Sequence, residues 1–390
     1  MKWSEQEWPL QHNALTDTLK TMWEQGWLDE FSESHFLIRT IHSNLPEYRT
    51  KAQVSASSPE LFNDCDTPLN FIINFSSKFL HFANLCGSDN AERFVKDQLS
   101  AGKNNYSEDQ FFAALHEIHV FTYLTLCGKP SVDYEPKQGG YSGKKNPEYR
   151  IKNRFMIPGK VPSEMLYPEE DYIFDVEVKS IVGQLGEMID PKKSFIIPSM
   201  AIEYSKMEDL IILCSELELQ VEFPNIIQLK DFLNSAASKF TSALHKNHFN
   251  ILYINWTHRE IPHLNYIEPL SLLDNPINGL LRYNNIGKKF KISNDVFEKI
   301  SAIFIYSYPK QALMFGDIRW VFSNKQCATL FNQNLTQEQK SKLARILSMD
   351  PSANPQMQPF LFYSPETHPK SLTYAEFEKI GQVIEQIHLK

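Results

Sequence analysis

Cysteine is scarce in this sequence and is never paired as a disulfide framework or a structural zinc site requires. The chain has five cysteines at scattered positions, namely Cys65, Cys86, Cys127, Cys214 and Cys327. Their number is odd and no C-x-x-C motif occurs, so the usual spacings of both kinds of site are excluded. We therefore expect reduced thiols, as in a cytoplasmic protein.

Long apolar runs are also absent. No run approaches the length of about 18 residues that a membrane-spanning helix needs. The N-terminal stretch MKWSEQEWPLQ has no apolar segment of the kind found in signal peptides. We expect a soluble protein of the cytoplasm with no membrane partner.

Positive charge is not in excess. The chain carries 39 basic and 47 acidic side chains, which give a formal net charge of -8. This balance argues against a protein that coats nucleic acid with its whole surface, although a local basic groove stays compatible with it. With 390 residues, of which 42% are hydrophobic, the chain can form a large core in two or three domains, or in one domain with helical additions.

Helical and strand patterns divide the chain into three regions. We predict a helical N-terminal region over residues 1–105, an α/β core over 106–325 and a helical C-terminal region over 326–390. In the core, Ser107 and Gln110 have the spacing of a capping box for a helix from 108 to about 127. The other predicted elements are strands at 132–136, 147–151, 172–182, 249–256 and 300–308, an edge strand at 318–324, helices at 199–220 and 226–246, and C-terminal helices after Thr336 and over 371–389.

The stretch YIFDVEVKSIV, residues 172–182, carries three charges at alternate positions. Because successive strand side chains point to opposite faces, Asp175, Glu177 and Lys179 would share one face and the other face would be apolar. Ile173 and Ile181 would lie beyond them on the charged face, so the charges form a short central patch, as a site would. The alternative is a half-solvated strand with ordinary alternating charge.

A carboxylate also interrupts an apolar helix. In FFAALHEIHVFTYLTLCG, Glu117 shares a helical face with Phe121 and Leu124. Burying a carboxylate costs free energy unless it has a partner, a hydrogen bond or a metal ion. A partly exposed seam or a structural pair is the alternative. His116 and His119 lack the i, i+4 spacing of a zinc-protease helix, so we interpret them as structural residues or as bystanders without a role in a site.

Basic residues cluster after this helix. Seven of them lie between residues 137 and 160, where Glu148 is the single acid. Such a block suits phosphate binding, and its alternative is a solvated loop and hairpin. The candidates for nucleic-acid binding are Lys137, Lys144, Lys145, Arg150, Lys152 and Arg154.

The chain resembles the PD-(D/E)XK nuclease superfamily in three features that occur in the same order. They are an acid on a buried helix, an acid at the head of a strand, and E-x-K on the next strand. The resemblance covers residues 107–182, through HEIHVFTYLTLCG, VDYEP, NPEYRI and FDVEVKSI. It implies a restriction-endonuclease-like α/β fold, in which a mixed β-sheet core is flanked by helices. The N- and C-terminal regions would be helical additions to that core.

The resemblance also implies roles for individual residues. Glu148 matches the first acid, where the family usually has Asp, and Glu177 and Lys179 match the second acid and the lysine. Glu117 matches the acid often found on the first core helix. Mg²⁺ or Mn²⁺ would be held by Glu148, Glu177 and the backbone carbonyl of Val178, with Glu117 as a further ligand or orienting group. Lys179 would position or help deprotonate the attacking water. Asp175 lies outside the motif as a neighbouring ligand, a charge balancer or a solvated surface group.

The function implied by this resemblance is metal-dependent hydrolysis of phosphodiester bonds, with DNA as the expected substrate. A bacterial phage-defence or mobile-element system is the expected setting. One alternative is a nucleic-acid-binding or scaffold protein that retains the fold without strong catalysis. Another is an interaction module whose helical flanks bind a protein partner or a second copy of the chain.

Overall fold

In the computed structural model, backbone placement is described for most of the predicted core and for parts of both flanking regions. The described residues are 13–43, 68–126, 129–136, 146–154, 157–158, 165–166, 171–183, 194–196, 220–222, 226–241, 247–258, 269, 272–273, 280–281, 292–306, 327–348 and 361–362.

Helices dominate the first part of the described chain, and strands become frequent after it. The α-helices are α1 (Asn13–Glu24), α2 (Phe36–Ser43), α3 (Pro68–Cys86), α4 (Ser88–Phe94), α5 (Glu108–Thr125), α6 (Ile226–Lys239), α7 (Asn294–Lys299) and α8 (Gln337–Ser348). The strands are β1 (Ser131–Tyr134), β2 (Tyr149–Asn153), β3 (Ile157–Pro158), β4 (Met165–Leu166), β5 (Tyr172–Gly183), β6 (Ser194–Ile196), β7 (Gln220–Glu222), β8 (His248–His258), β9 (Ala302–Tyr306), β10 (Cys327–Asn332) and β11 (Leu361–Phe362). The predicted α/β class is confirmed.

The described residues form two compact units. The first contains those up to Pro136 and those from Glu148 to Ile173, and the second contains residues 146–147 and those from Phe174 onward. The division into three regions at residues 105 and 325 stays a prediction.

Aromatic packing organises the first unit. Phe71, Phe75, Phe79 and Phe82 recur every three or four residues along α3, so they form one buried stripe. Successive rings in this stripe have centroids 5.8–6.0 Å apart. Phe82 then packs edge-to-face against Phe121 of α5, with ring centroids 5.1 Å apart. The first unit therefore has a rigid aromatic core that supports α5.

Two antiparallel strands complete that core. β1 pairs with β2 so that Tyr134 lies opposite Tyr149, and both rings contact Phe82. At the N-terminus of α5 the Ser107 hydroxyl accepts a hydrogen bond from the Gln110 amide at 3.4 Å, as the predicted capping box requires. The reciprocal bond of the box is not made, because the Ser107 amide donates to the Ala101 carbonyl at 2.9 Å. This packing fixes α5, which carries Glu117, and the start of β2, which Glu148 immediately precedes.

A mixed sheet forms the second unit, in the strand order β5-β8-β9-β10-β11. β8 and β9 are parallel, with Ile251 opposite Ala302, while β9 and β10 are antiparallel. Side chains on both faces of β8 and β9 are buried, as the continuous apolar runs predict. On one side the sheet packs against the apolar stripe of α6, which includes Leu229, Leu233 and Ala236.

Two predicted elements need correction. The helix predicted over 226–246 ends at Lys239. The C-terminal region predicted as helical contains β10, whose short and weakly β-forming sequence CATLFN is held by its pairing with β9. The predicted edge strand at 318–324 and the last helix at 371–389 lie outside the described residues. So does the helix predicted at 199–220, except for Gln220, which belongs to β7.

The C-terminal helix predicted after Thr336 is confirmed as α8. Thr336 and Gln339 form a reciprocal capping box in which each side chain accepts a hydrogen bond from the other residue's amide, at 3.2 and 2.9 Å.

Cys86 and Cys327 are free thiols, and burial raises the pKa of each to about 12. In the part of the chain that the structure describes, no helix combines the length and apolarity needed to cross a membrane.

Candidate metal and phosphate site

The charged face of β5 is buried. Asp175 and Glu177 have 0% exposure, while Lys179 is partly exposed. Phe174, Val176 and Val178 are buried on the opposite face. The half-solvated alternative for this strand is therefore wrong, and so is a solvated position for Asp175. The two carboxylates are held inside the second unit.

Two lysines bind the same oxygen of Glu177. The Lys179 ammonium lies 2.6 Å from Oε1, and the Lys239 ammonium makes a second, short contact with that oxygen. The side chains of Lys179 and Lys239 are 21% and 14% exposed, respectively. A fully buried carboxylate thus lies behind two cations that solvent can reach, an arrangement that offsets much of the cost of burying it.

The sequence pattern predicted Lys179 but not Lys239. Lys239 lies in the last turn of α6, after the apolar positions Leu233, Ala236 and Ala237 that pack on the sheet. A cation is favourable at this end of a helix because it interacts with the helix dipole. The available signal was a lone lysine at the end of an apolar helical stripe, and nothing in that signal indicates its partner on β5.

Asp175 has its own partner in the second unit. Its Oδ2 lies 3.1 Å from Nε2 of His248, the first residue of β8. The side chain of His248 is 17% exposed. Among the alternatives for Asp175, this contact favours the role of charge balancer within the buried face.

Glu117 and Glu148 lie in the first unit, close to the same two tyrosines. Burial is the main cause that raises the pKa of Tyr134 and Tyr149, and the nearby carboxylates of Glu117 and Glu148 raise both further. The hydroxyl of Tyr149 is buried without a hydrogen-bond partner in the structure as described. Such a group calls for an explanation, and a ligand or water beside the two carboxylates would provide one.

The backbone next to Glu148 is unusual. The Glu148 carbonyl accepts a hydrogen bond from the Glu135 amide at 2.9 Å, and Glu135 has a left-handed φ of 45°. This conformation costs free energy in a residue other than glycine, and residues that adopt it are concentrated at functional sites. Arg93 binds the Glu135 carboxylate at 3.1 Å and lies over the Tyr134 ring at 5.0 Å. This corner therefore combines the predicted acid Glu148 with Glu135 and an arginine.

His116 and His119 are buried on α5, as a structural interpretation requires. Burial lowers the pKa of His116 to about 3, and burial followed by the charge of Lys78 holds the pKa of His119 well below its usual value. Lys78 lies 3.3 Å from the ring nitrogens of His119. Both imidazoles are neutral at pH 7.

The described part of the basic block follows β2. Arg150 and Lys152 alternate with the buried Tyr149, Ile151 and Asn153, so they share the outward face of the strand. Arg154 and Lys152 contact Asp171 at 2.9 and 3.3 Å. The hydrogen bond from Arg154 is the main cause that lowers the pKa of Asp171.

Asp171 is a counter-ion that the sequence analysis did not assign to this block. Lys137, Lys144 and Lys145 lie outside the described residues. Across the ladder, Asp133 of β1 lies opposite Arg150. The described basic side chains are thus partly balanced by two acids of their own unit.

The structure places the predicted site residues in two groups. Glu117 and Glu148 belong to the first unit, and Glu177, Val178 and Lys179 belong to the second. Within the described ranges, no three His, Cys, Asp or Glu side chains lie together as a group that could hold a metal ion.

Comparisons with known proteins find no match to a family model, to a curated protein or to a solved structure.

Proposed function

We propose that this chain is a metal-dependent nuclease that hydrolyses phosphodiester bonds, with DNA as its substrate. The observation that supports the proposal best is the buried Glu177 carboxylate, bound by Lys179 from its own strand and by Lys239 from α6. Buried charge is costly, and a hydrophobic replacement would often serve stability as well or better. A function in phosphate chemistry gives a reason for keeping these three charges.

The donor set fits Mg²⁺ or Mn²⁺. Each unit offers hard oxygen ligands, which these cations prefer: Glu117 and Glu148 in the first, and Glu177 with the carbonyl of Val178 in the second. Mg²⁺ is usually held by one or two carboxylates together with substrate phosphate and water, so it does not need a group of three protein ligands. When bound, the ion would supply stabilisation for the negative charge that develops on the phosphate.

The chain's own residues would act around that charge. Lys179 is partly exposed and fixed by Glu177, so its ammonium can bind a phosphate oxygen or position the attacking water. The contact with His248 holds Asp175 in place beside Glu177 on the same strand face. The hydroxyl of Tyr149 offers a buried hydrogen-bonding group next to Glu117 and Glu148.

Substrate binding is assigned to the outward face of β2. Arg150 and Lys152 project from it, and Arg154 follows the strand. Guanidinium and ammonium groups bind phosphate oxygens of the backbone without reading sequence. The proposal extends to Lys137, Lys144 and Lys145 on the evidence of the sequence alone.

The test is cleavage of labelled DNA in the presence of Mg²⁺ or Mn²⁺ by the wild-type chain, Glu177→Gln and Lys179→Met. We expect wild-type cleavage that EDTA abolishes, and a fall of about 100-fold or more in each variant, as for loss of a charged group in an electrostatic site. Lys230→Met is a matched control on α6, since Lys230 pairs with Asp231 at 2.7 Å instead. Wild-type rates in Glu177→Gln would remove the assignment.

One observation favours a second candidate function, a nucleic-acid-binding protein without hydrolysis. Both lysines bind Oε1 of Glu177, so they compete with a metal ion for that oxygen. Salt-sensitive DNA binding with no cleavage under either cation would support this candidate against the nuclease.

A further inference from the structure

Lys239 has no counterpart in the motif that predicted the other site residues. It comes from α6, more than fifty positions beyond β5 in the chain, and still reaches the same oxygen as Lys179. Because both ammonium nitrogens contact one oxygen, they lie within about 5 Å of each other, even though like charges repel at this distance. The fold has brought two cations together at one point.

The exposure of the three groups indicates which of them meets an incoming molecule. Glu177 is 0% exposed, while the side chains of Lys239 and Lys179 are 14% and 21% exposed. The carboxylate fixes the two cations from behind, and each keeps part of its surface open. An anion that reaches this point therefore contacts ammonium groups before it contacts the carboxylate.

The packing of α6 makes this position rigid. Leu233, Ala236 and Ala237 of α6 are buried against Ile181 of β5 and against the sheet. A lysine on an exposed loop pays conformational entropy when it binds an anion, whereas the stem of Lys239 is already ordered by the helix and the ion pair. Two preorganised ammonium groups suit the two unesterified oxygens of a phosphodiester.

We infer that Lys239 is a second phosphate-binding lysine, which binds a backbone phosphate of the nucleic-acid substrate together with Lys179 at Glu177. This inference rests on the proposed function for its substrate, but it does not require hydrolysis.

The experiment measures binding of a labelled DNA duplex in EDTA by fluorescence anisotropy over a range of NaCl concentrations. The chains are the full-length wild type, Lys239→Met, Lys239→Arg, Lys179→Met and the control Lys230→Met. The control removes the same charge from the same helix, at a side chain that is 22% exposed. Thermal unfolding of each variant reports whether the fold is retained.

Removing one phosphate contact lowers the slope of log affinity against log salt by about 0.9 for duplex DNA and weakens binding about five- to tenfold at moderate salt. We expect this change in Lys239→Met, a similar change in Lys179→Met, and none in Lys239→Arg or Lys230→Met. A purely structural role for Lys239 would lower the unfolding temperature without changing the salt slope. Three outcomes would overturn the inference. They are a lower unfolding temperature with an unchanged salt slope in Lys239→Met, equal slopes in Lys239→Met and Lys230→Met, and no DNA binding by the wild type.

The outcome is separate from that of the nuclease proposal. A lowered slope together with no metal-dependent cleavage by the wild type would keep Lys239 as a phosphate ligand and remove the nuclease. Cleavage by the wild type with an unchanged slope in Lys239→Met would keep the nuclease and remove this inference.

Discussion

The two compact units bury ionisable groups in opposite ways. In the first unit, buried imidazoles are neutral, because burial lowers the pKa of His35 to about 4 and that of His116 to about 3. In the second unit, Asp175 and Glu177 are buried with cationic or protonatable partners. Neutral groups can serve packing alone, whereas paired charges carry a desolvation cost that stability does not explain. The contrast supports the proposal that the chemistry takes place on β5.

Acid should destabilise the first unit through its neutral histidines, and this is the largest effect that we expect. His35 is buried, bonded to the Leu99 carbonyl at 2.8 Å and to the Leu37 amide at 3.1 Å. Between pH 6.5 and about 4, the unfolded chain binds a proton at His35 that the folded chain does not bind. The free energy of unfolding therefore decreases as the pH is lowered through this window, by about 3 kcal/mol for this residue.

Urea unfolding at pH 7 and pH 4.5, for wild type and His35→Gln, measures that effect. The variant should show a smaller loss of unfolding free energy on acidification than wild type. His81→Gln is the control. Burial lowers the pKa of His81 as it lowers that of His35, but His81 is less buried, so its substitution should change the acid response less. An equal loss in wild type and His35→Gln would contradict the neutral buried imidazole.

Removing the buried pair of Asp175 and His248 tests how much the second unit depends on its buried charges. Asp175→Ala leaves His248 without the carboxylate 3.1 Å away and opens a gap in a buried face. We expect a loss of about 2 kcal/mol in unfolding free energy. Asp133→Ala on exposed β1 is the matched control and should change stability by less than about 0.5 kcal/mol. Similar losses in the two variants would show that burial of the Asp175 pair does not matter for stability.

Helix capping sharpens the comparison at a smaller scale. The box of Thr336 and Gln339 has two short reciprocal hydrogen bonds, whereas the Ser107 hydroxyl makes one contact of 3.4 Å. Thr336→Ala should cost about 1 kcal/mol and Ser107→Ala about 0.5 kcal/mol. Chemical denaturation of both variants measures the difference, and a larger cost for Ser107→Ala would reverse the expected order.

The smallest effect concerns the exposed ion pairs of the first unit. Asp171→Asn removes the acid that Arg154 and Lys152 contact, so both cations become more available to phosphate. We expect about twofold tighter DNA binding with no measurable change in stability. Fluorescence anisotropy measures the affinity, and Asp97→Asn is a control on a distant carboxylate. Unchanged or weaker binding in Asp171→Asn would argue against β2 as the DNA-binding face.

The sequence predicted the elements that have strong local signals. Three such signals depend only on neighbours in the chain, and the structure confirms them. They are the alternation of β5, the continuous apolar runs of β8 and β9, and the Ser107 cap of α5. β10 was not predicted because its strand conformation depends on pairing with β9.

The partners within the site were harder to predict for the same reason. Lys239, His248 and Asp171 are distant in sequence from the residues that they contact, and nothing in their local patterns indicates those contacts. The E-x-K spacing could identify Glu177 and Lys179 because both lie on one strand. Burial of Asp175 could not be deduced from alternation, which also fits a half-solvated strand.

The central claim is that the buried Glu177 and its partner Lys179 serve one metal-dependent reaction, and a double-mutant cycle of Glu177→Gln and Lys179→Met tests it most directly. DNA cleavage rates are measured in Mn²⁺ for wild type, both single variants and the double variant, at enzyme concentrations that keep residual rates above background. Residues that act as a unit in catalysis show strongly non-additive losses. The account predicts that each single variant loses about 100-fold or more and that the double variant is no slower than the slower single variant. Losses that multiply in the double variant, or a single variant that cleaves at the wild-type rate, would contradict it.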